Sequence, residues 1–382
     1  MHKLYNELNI LRGGIILSAK IINYYVCANS AHGFVSYFED NIKILDKLYI
    51  LKGGPGTGKS TLMKKIGDVW NQRGFDIEYI HCSSDNNSID GVIVPTIGMG
   101  VVDGTAPHVI EPSAPGAIED YVNLGMAWDS KKLAINKNKI LDIKSSISSC
   151  YTNTYDYFKK GLKIHDEWEK IYLGNIDFNK LNNITDSLIA AFFNNQTANK
   201  QSIVKNRFFG GATPKGSVDF VMDLTESIEK RYFIKGRPGS GKSTMLKKIA
   251  HAAEEKGFDT EIYHCGFDPN SLDMVIIREL DIAIFDSTAP HEYFPTRKTD
   301  EIVDVYALAI KPGTDEKYKD ELESIIARYK STVNDGIAQL AKAKQLHDEL
   351  ENIYIDAMDF NEVDKISKDL MEKLDDYFFN LV

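Results

Sequence analysis

Nine residues that occur twice constrain this chain more than any other feature. Gly53, Gly54, Pro55, Gly56, Thr57, Gly58, Lys59, Ser60 and Thr61 follow the apolar run Leu48–Leu51 and lead into Leu62–Trp70. Gly236, Arg237, Pro238, Gly239, Ser240, Gly241, Lys242, Ser243 and Thr244 follow Tyr232–Lys235 and lead into Met245–Ile249. Each reads as strand, glycine-rich turn and helix, with the spacing G-x-x-x-x-G-K-S of a phosphate-binding loop. The offset is 183 residues and runs without a gap from Gly33/Gly216 to His108/His291. Between Leu48 and His108, 29 of 61 positions equal their partners. A whole domain is therefore duplicated, and a glycine turn kept twice only for its shape is the weaker reading.

The chemistry explains the residue types. Glycines let successive backbone N–H groups turn inward around phosphate oxygens with no Cβ in the way. The helix that follows adds the positive end of its dipole. Lys59 and Lys242 reach the β- and γ-phosphates, and the hydroxyls of Ser60 and Ser243 ligate Mg²⁺.

A chain of 382 residues suits two domains, and 43% hydrophobic residues give each a core. The repeat sets their limits: an extension over residues 1–19 with no counterpart, a first unit over 20–195 and a second over 203–382. The polar stretch Asn194–Ser202 joins them. Net charge is −10 and the basic residues are interspersed with acids, which argues against a nucleic-acid-binding face. No apolar run approaches eighteen residues, so no membrane span is expected, and Ile15–Leu17 is too short for a signal peptide. Four cysteines without a CxxC pair point to reduced thiols and a cytoplasmic protein.

After each loop helix the chain stops at Gly74-Phe75-Asp76 or Gly257-Phe258-Asp259. It continues as a strand ending in His81-Cys82 or His264-Cys265, then reaches a second apolar strand over 100–102 or 282–285. Strands alternating with helices, each strand ending in polar residues, predict an α/β fold of two tandem P-loop domains with doubly wound, mostly parallel sheets. From Leu133 to Phe193 and from Glu316 to Phe379, apolar residues recur at three- and four-residue spacing and glycine becomes scarce. This predicts a helical hairpin appended to each unit.

Asp103 and Asp286 end apolar strands, as in a Walker B motif, and are expected to hold Mg²⁺ and hydrogen-bond Ser60 and Ser243; the plainer role is a turn cap. The next residue is Gly104 or Ser287, not the glutamate that motor ATPases place there. Asp85 and Asp268 are the candidate acceptors for a substrate proton, against a helix N-cap, with Asp90 and Asp273 as weaker candidates. His108 and His291 stand near the phosphates as sensors or as turn supports. The His-Cys pairs raise zinc, but adjacent strand residues face opposite ways, so packing is the better reading. His165 and His347 read as helix surface or packing. Arg278 and Arg297 are the candidate cross-half arginine fingers for the loop at Lys59, and surface ion pairing by both is the favoured alternative.

The runs GGPGTGKSTLMKKIG, HCSSDNNSIDG and VVDGTAPHVIEP together resemble an uncharacterised family of bacterial tandem P-loop NTPases, ATPase-like or nucleotide-kinase-related. The likeness covers nearly the whole chain beyond the first twenty residues. It implies ATP as the ligand with Mg²⁺ and leaves the substrate open. Two functions are expected on these grounds. One is a kinase-like enzyme that hydrolyses ATP or passes its γ-phosphoryl group to a small-molecule acceptor. The other is an ATP-dependent switch whose hairpins bind a protein partner.

Overall fold

The computed structural model describes residues 19–381; the extension predicted over residues 1–19 lies almost wholly outside them. The first half contains β1 (Ile21–Tyr24), the hairpin β2 (Cys27–Ser30) and β3 (Gly33–Ser36), and a short α1 (Phe38–Ile42). Then come β4 (Lys47–Lys52), α2 (Lys59–Gln72), β5 (Ile77–His81), β6 (Ile89–Val94), β7 (Met99–Asp103) and β8 (Glu119–Asn123). It ends in α3 (Ser130–Ile135), α4 (Lys137–Leu173) and α5 (Phe178–Phe193). The second half repeats the series with β9 (Val204–Phe208), β10 (Gly210–Thr213), β11 (Gly216–Asp219), α6 (Val221–Thr225) and β12 (Lys230–Lys235). It continues through α7 (Lys242–Glu255), β13 (Thr260–His264), β14 (Leu272–Ile277), β15 (Ile282–Asp286), β16 (Glu301–Asp304), α8 (Val305–Ala309), α9 (Thr314–Lys317), α10 (Lys319–Ile355) and α11 (Phe360–Leu381).

Each half builds a six-stranded sheet, in the orders β1-β5-β6-β7-β4-β8 and β9-β13-β14-β15-β12-β16. β4 lies parallel to β7 and β8, and β1 parallel to β5, while β6 runs against both its neighbours. The sequence pattern assigns no strand to Ile89–Val94. The short connections on either side of it, 82–88 and 95–98, are far below the dozen residues a parallel crossover needs, so an antiparallel meander is the only path. The sheets are mixed, and they are not doubly wound. The helices α2 and α7 cover only the outer faces. The inner faces meet in one shared core, in which Ile50, Ile80 and Val102 join Phe233, Tyr263 and Phe285, with Phe38 of α1 and Leu224 of α6.

The long helices lie in the expected ranges but serve the opposite half. Leu181, Phe192 and Phe193 of α5 pack on Met245, Leu246 and Ile249 of α7. Leu370, Leu374 and Phe378 of α11 pack on Met63, Ile66 and Trp70 of α2. The 37-residue helices α4 and α10 run antiparallel, each about 55 Å long. Ile140 and Ile143 meet Leu350 and Ile353 at one end, and Ile171 and Tyr172 meet Leu322 and Ile325 at the other. At mid-length Gly336 faces the Phe158 ring, where an added Cβ would come 2.5 Å from a ring carbon. Backbone bonds fasten the crossings: Asp129 N–H donates to Ala357 O (2.7 Å) and Asp359 N–H to Ala127 O (2.8 Å). Their counterparts join Asp177 N–H to Ala309 O and Lys311 N–H to Asn175 O, both at 2.8 Å.

A buried charge joins the inner faces. The Arg207 guanidinium is 1% exposed, lies 3.6 Å over the Tyr24 ring, and donates to Glu78 Oε2 (2.8 Å) and Asn41 Oδ1 (2.9 Å). Glu261 Oε2 stands 3.6 Å from the same group. Burial alone would raise both carboxyl pKa values, but Arg207 holds Glu78 below the usual range, and Arg207 with Arg278 holds Glu261 down at about 2. Arg207→Met is expected to cost about 3–5 kcal/mol at pH 7, because Glu78 keeps its burial and loses its cation. A depressed folded pKa gives stability that is present above the unfolded value near 4.3 and lost as pH falls toward about 2. Urea midpoints for variant and wild type should therefore converge on acidification through that window; a pH-independent gap would mean lost packing instead.

Candidate functional site

The two glycine loops, 53–61 and 236–244, sit at the ends of β4 and β12. Gly56 and Gly58 take φ of +66° and +87°, and Gly239 and Gly241 take +74° and +86°, values that side-chain-bearing residues rarely adopt. The Lys59 ammonium folds along the loop, donating to Gly54 O (2.8 Å) and Gly53 O (3.3 Å), and stands 3.6 Å from Asp103 Oδ2. Lys242 repeats this with Arg237 O (2.9 Å) and Asp286 Oδ2 (3.5 Å). The structure thus brings loop, lysine and strand-end aspartate together in both halves.

The serine and aspartate bond elsewhere than expected. Ser60 Oγ accepts from Ile89 N–H (3.1 Å) and Ser243 Oγ from Leu272 N–H (2.9 Å), so each serine anchors the start of the antiparallel strand. Asp103 Oδ1 accepts from the amide and hydroxyl of Thr105, and Asp286 Oδ1 from those of Thr288. The second carboxylate oxygen of each aspartate faces the lysine.

Asp85 and Asp268 cap tight turns that lead into strands, not the helix N-termini of the plainer expectation. Asp85 caps its own turn through Asn87 N–H and Ser88, and ion-pairs with Lys344 of α10 at 3.2 Å. Burial would raise its pKa, but these donors and Lys344 lower it. Asp268 caps likewise and meets His32 of the first half at 3.1 Å. Asp90 and Asp273 stand in the electrostatic field of the loop instead. Burial raises the Asp90 pKa and the Asp103 charge adds to it, against His108 and Lys59. Burial and the Asp286 charge push Asp273 up to about 7.

The histidines divide. His108 is buried, with its Nε2 4.0 Å from Asp90 and its ring stacked on Phe38. His291 bonds Asp219 (2.6 Å) and Ser217 (3.2 Å). His81 bonds Asn23, and His264 bonds Asn206 and Pro269 O, which leaves both in packing roles. Arg278 pairs with Glu261, and Arg297 donates to the carbonyls of Ile228 and Glu226. Both arginines are engaged within their own half, but only Arg278 makes an ion pair, and that pair is part-buried; Arg297 is held by backbone carbonyls instead of the surface ion pair expected of it.

What sequence reasoning missed is the roof of each loop. The Tyr354 ring lies against Gly54, where a Cβ would come 2.7 Å from it, and the Glu351 carbonyl lies against Gly56. In the second half the Glu169 carbonyl is 2.5 Å from where a Gly239 Cβ would stand. His165, Asp166 and Glu169, and likewise His347, Asp348 and Glu351, hold their ligand atoms within 4.8 Å of one another. Burial and then Lys242 lower the His165 pKa. Burial, with Asp166 and Asp268, raises that of Glu169 against Lys242 and the Gly239 amide. The signal was present in the recurrence of His-Asp-Glu-x-Glu at both helix ends.

Comparison with protein-family models, with curated proteins and with solved structures finds no match for this chain.

The Asp273 carboxyl carries a pH prediction. Its folded pKa of about 7 exceeds the unfolded value near 3.9, so its ionisation opposes folding increasingly from about pH 4 up to about pH 7. In metal-free buffer, Asp273→Asn should match wild type in melting temperature near pH 4 and exceed it above pH 7. A constant difference across that range would assign Asp273 an ordinary, unshifted carboxyl.

Proposed function

We propose that each half binds a Mg²⁺-complexed nucleoside triphosphate, ATP in the first instance, at its glycine loop, and cleaves or transfers the γ-phosphoryl group as a kinase-like NTPase. The observation that carries this reading is the lysine held between loop and strand-end aspartate, 3.6 Å from Asp103 in one half and 3.5 Å from Asp286 in the other. A lysine stored on loop carbonyls beside a carboxylate is a cation ready to turn to phosphate oxygens.

The donor set suits magnesium. Ser60 and Asp103, or Ser243 and Asp286, offer hydroxyl and carboxylate oxygens, the hard ligands this ion takes. Bound there, Mg²⁺ would neutralise charge on the triphosphate. The loop amides of Gly56, Gly58 and Lys59, with Gly239, Gly241 and Lys242, orient the phosphates. Asp85 and Asp268, committed to turn caps, hold cross-half contacts in this scheme. A cytoplasmic location fits the four free thiols. No helix among the described residues is long and apolar enough to cross a membrane.

The roofed loops favour a second reading. Because α4 and α10 lie on the loops, a nucleotide that shifts a roof would move the long helices. An ATP-dependent switch that presents those helices to a protein partner follows from this contact. Radiolabelled ATP separates the two: labelled acceptor or rapid phosphate release supports the enzyme, and tight binding with slow release supports the switch.

Calorimetry with Mg·ATP should saturate at two sites per chain, and no binding would sink the nucleotide reading. Lys59→Ala and Lys242→Ala should each weaken one site by about 1.5–3 kcal/mol, roughly ten- to a hundredfold in Kd. Asp103→Asn and Asp286→Asn should lower Mg²⁺-dependent turnover more than binding; equal losses of binding without Mg²⁺ would assign these aspartates to folding.

A further inference from the structure

We propose that the last glutamate of each His-Asp-Glu-x-Glu run is the catalytic base of the opposite half: Glu351 for the loop 53–61, and Glu169 for the loop 236–244. The inference rests on the nucleotide reading and supplies the glutamate that neither half carries after its own strand-end aspartate, where Gly104 or Ser287 stands.

The lysine identifies the end of the loop at which chemistry occurs. A loop lysine serves the β- and γ-phosphates, and the Lys59 ammonium lies on the carbonyls of Gly53 and Gly54. That is the end roofed by the Tyr354 ring, against Gly54, and by the backbone carbonyl of Glu351, against Gly56, which seats this turn of the helix on the loop. Glu169 takes the same place over Gly239, beside Lys242. A histidine one helical turn earlier stands beside each carboxylate, beyond hydrogen-bond distance, with Nδ1–Oε1 separations of 3.7 Å for His165–Glu169 and 3.8 Å for His347–Glu351. Burial and two neighbouring acids make Glu169 more basic than a surface glutamate, as a proton acceptor requires.

The duplication points the same way. Six of the eight residues from His165 to Tyr172 recur in His347 to Tyr354: His, Asp, Glu, Glu, Ile and Tyr. In the preceding 28 positions of the helix only Lys137, Ile143, Ser149 and Lys160 recur. A helix kept merely to pair with its twin has no use for a part-buried run of histidine and acids at one end.

The step balances. The oxygen of water bonds to the γ-phosphorus, and its proton passes to the glutamate carboxylate and then to solvent. The bond from that phosphorus to the β–γ bridging oxygen breaks, and its electron pair leaves on the nucleoside diphosphate. An acceptor hydroxyl would lose its proton to the same carboxylate.

The test isolates one loop at a time. With the second loop silenced by Lys242→Ala, adding Glu351→Gln should lower phosphate release about a hundredfold or more while the ATP Kd stays within about threefold. Glu351→Gln combined with Lys59→Ala should retain the turnover of Lys59→Ala alone, since both changes fall on the first site; this arm also reports that the chain still folds. Glu349→Gln, an exposed change in the same run, should have no effect. Turnover unchanged by Glu351→Gln in the Lys242→Ala background overturns the assignment, as does loss in the Lys59→Ala background or a loss confined to Kd. A wild-type protein that binds no ATP would instead remove the nucleotide reading, and the base with it. Binding without any turnover overturns the base alone.

Discussion

The antiparallel pairing of α4 with α10 is the constraint on which the rest of the molecule depends. Each helix starts on one half and ends on the other, so the pair sets the distance between the two glycine loops and their relative orientation. The shorter helices then pack on the outer helices: α5 on α7 of the second half, which it enters through the linker to β9, and α11 on α2 of the first. Without this exchange Trp70 and Phe75 would lose Phe378 and Leu374, and the outward apolar side of α2 would lie open. The hydrophobic effect that stabilises one half is therefore supplied in part by the other. Neither half is a self-sufficient domain in the ordinary sense.

Much of this was legible in the residues, and the failures have physical causes. The glycine loops, the aspartates at the strand ends and the long helices follow from local spacing, because loop geometry and helical periodicity are local. The exchange of helices does not, since both halves present similar apolar faces and periodicity is silent on which face meets which. Length was the available clue. The 16-residue α5 spans about 24 Å and cannot return along the 55 Å of α4 to its own half. The strand Ile89–Val94 escaped notice because Asp90 and Gly91 break its apolar run. His165 and His347 read as helix surface or packing; only the fold lays their runs over loops 70 residues away for Glu169 and Gly239 and 295 for Glu351 and Gly56.

The two sites share a plan and differ in detail. Arg237 replaces Gly54 and is turned away to Asp315, over the Tyr306 ring. Lys344 contacts Asp85 from the roof, whereas its counterpart Leu162 is apolar and Asp268 meets His32. His291 has a carboxylate partner in Asp219, and the position matching Asp219 in the first half is Ser36. Each substitution changes charge beside the loop and leaves its glycine, lysine and serine frame intact. One frame in two different charge surroundings is the outcome of such divergence.

Arg207 and Tyr24 occupy equivalent positions in the two halves, as do Glu261 and Glu78. Two first halves brought together as a homodimer would bury a pair of carboxylates with no cation between them. Two second halves would set guanidinium against guanidinium across the same axis. Only the mixed pairing sets Arg207 between Glu78 and Glu261, with Arg278 on the far side of Glu261 and the Tyr24 ring beneath the cation. The covalent fusion is thus no longer a convenience of assembly. Cutting the gene in two could yield a working heterodimer, but neither piece could replace the other, and the symmetry of the fold survives in a molecule that can no longer be symmetric.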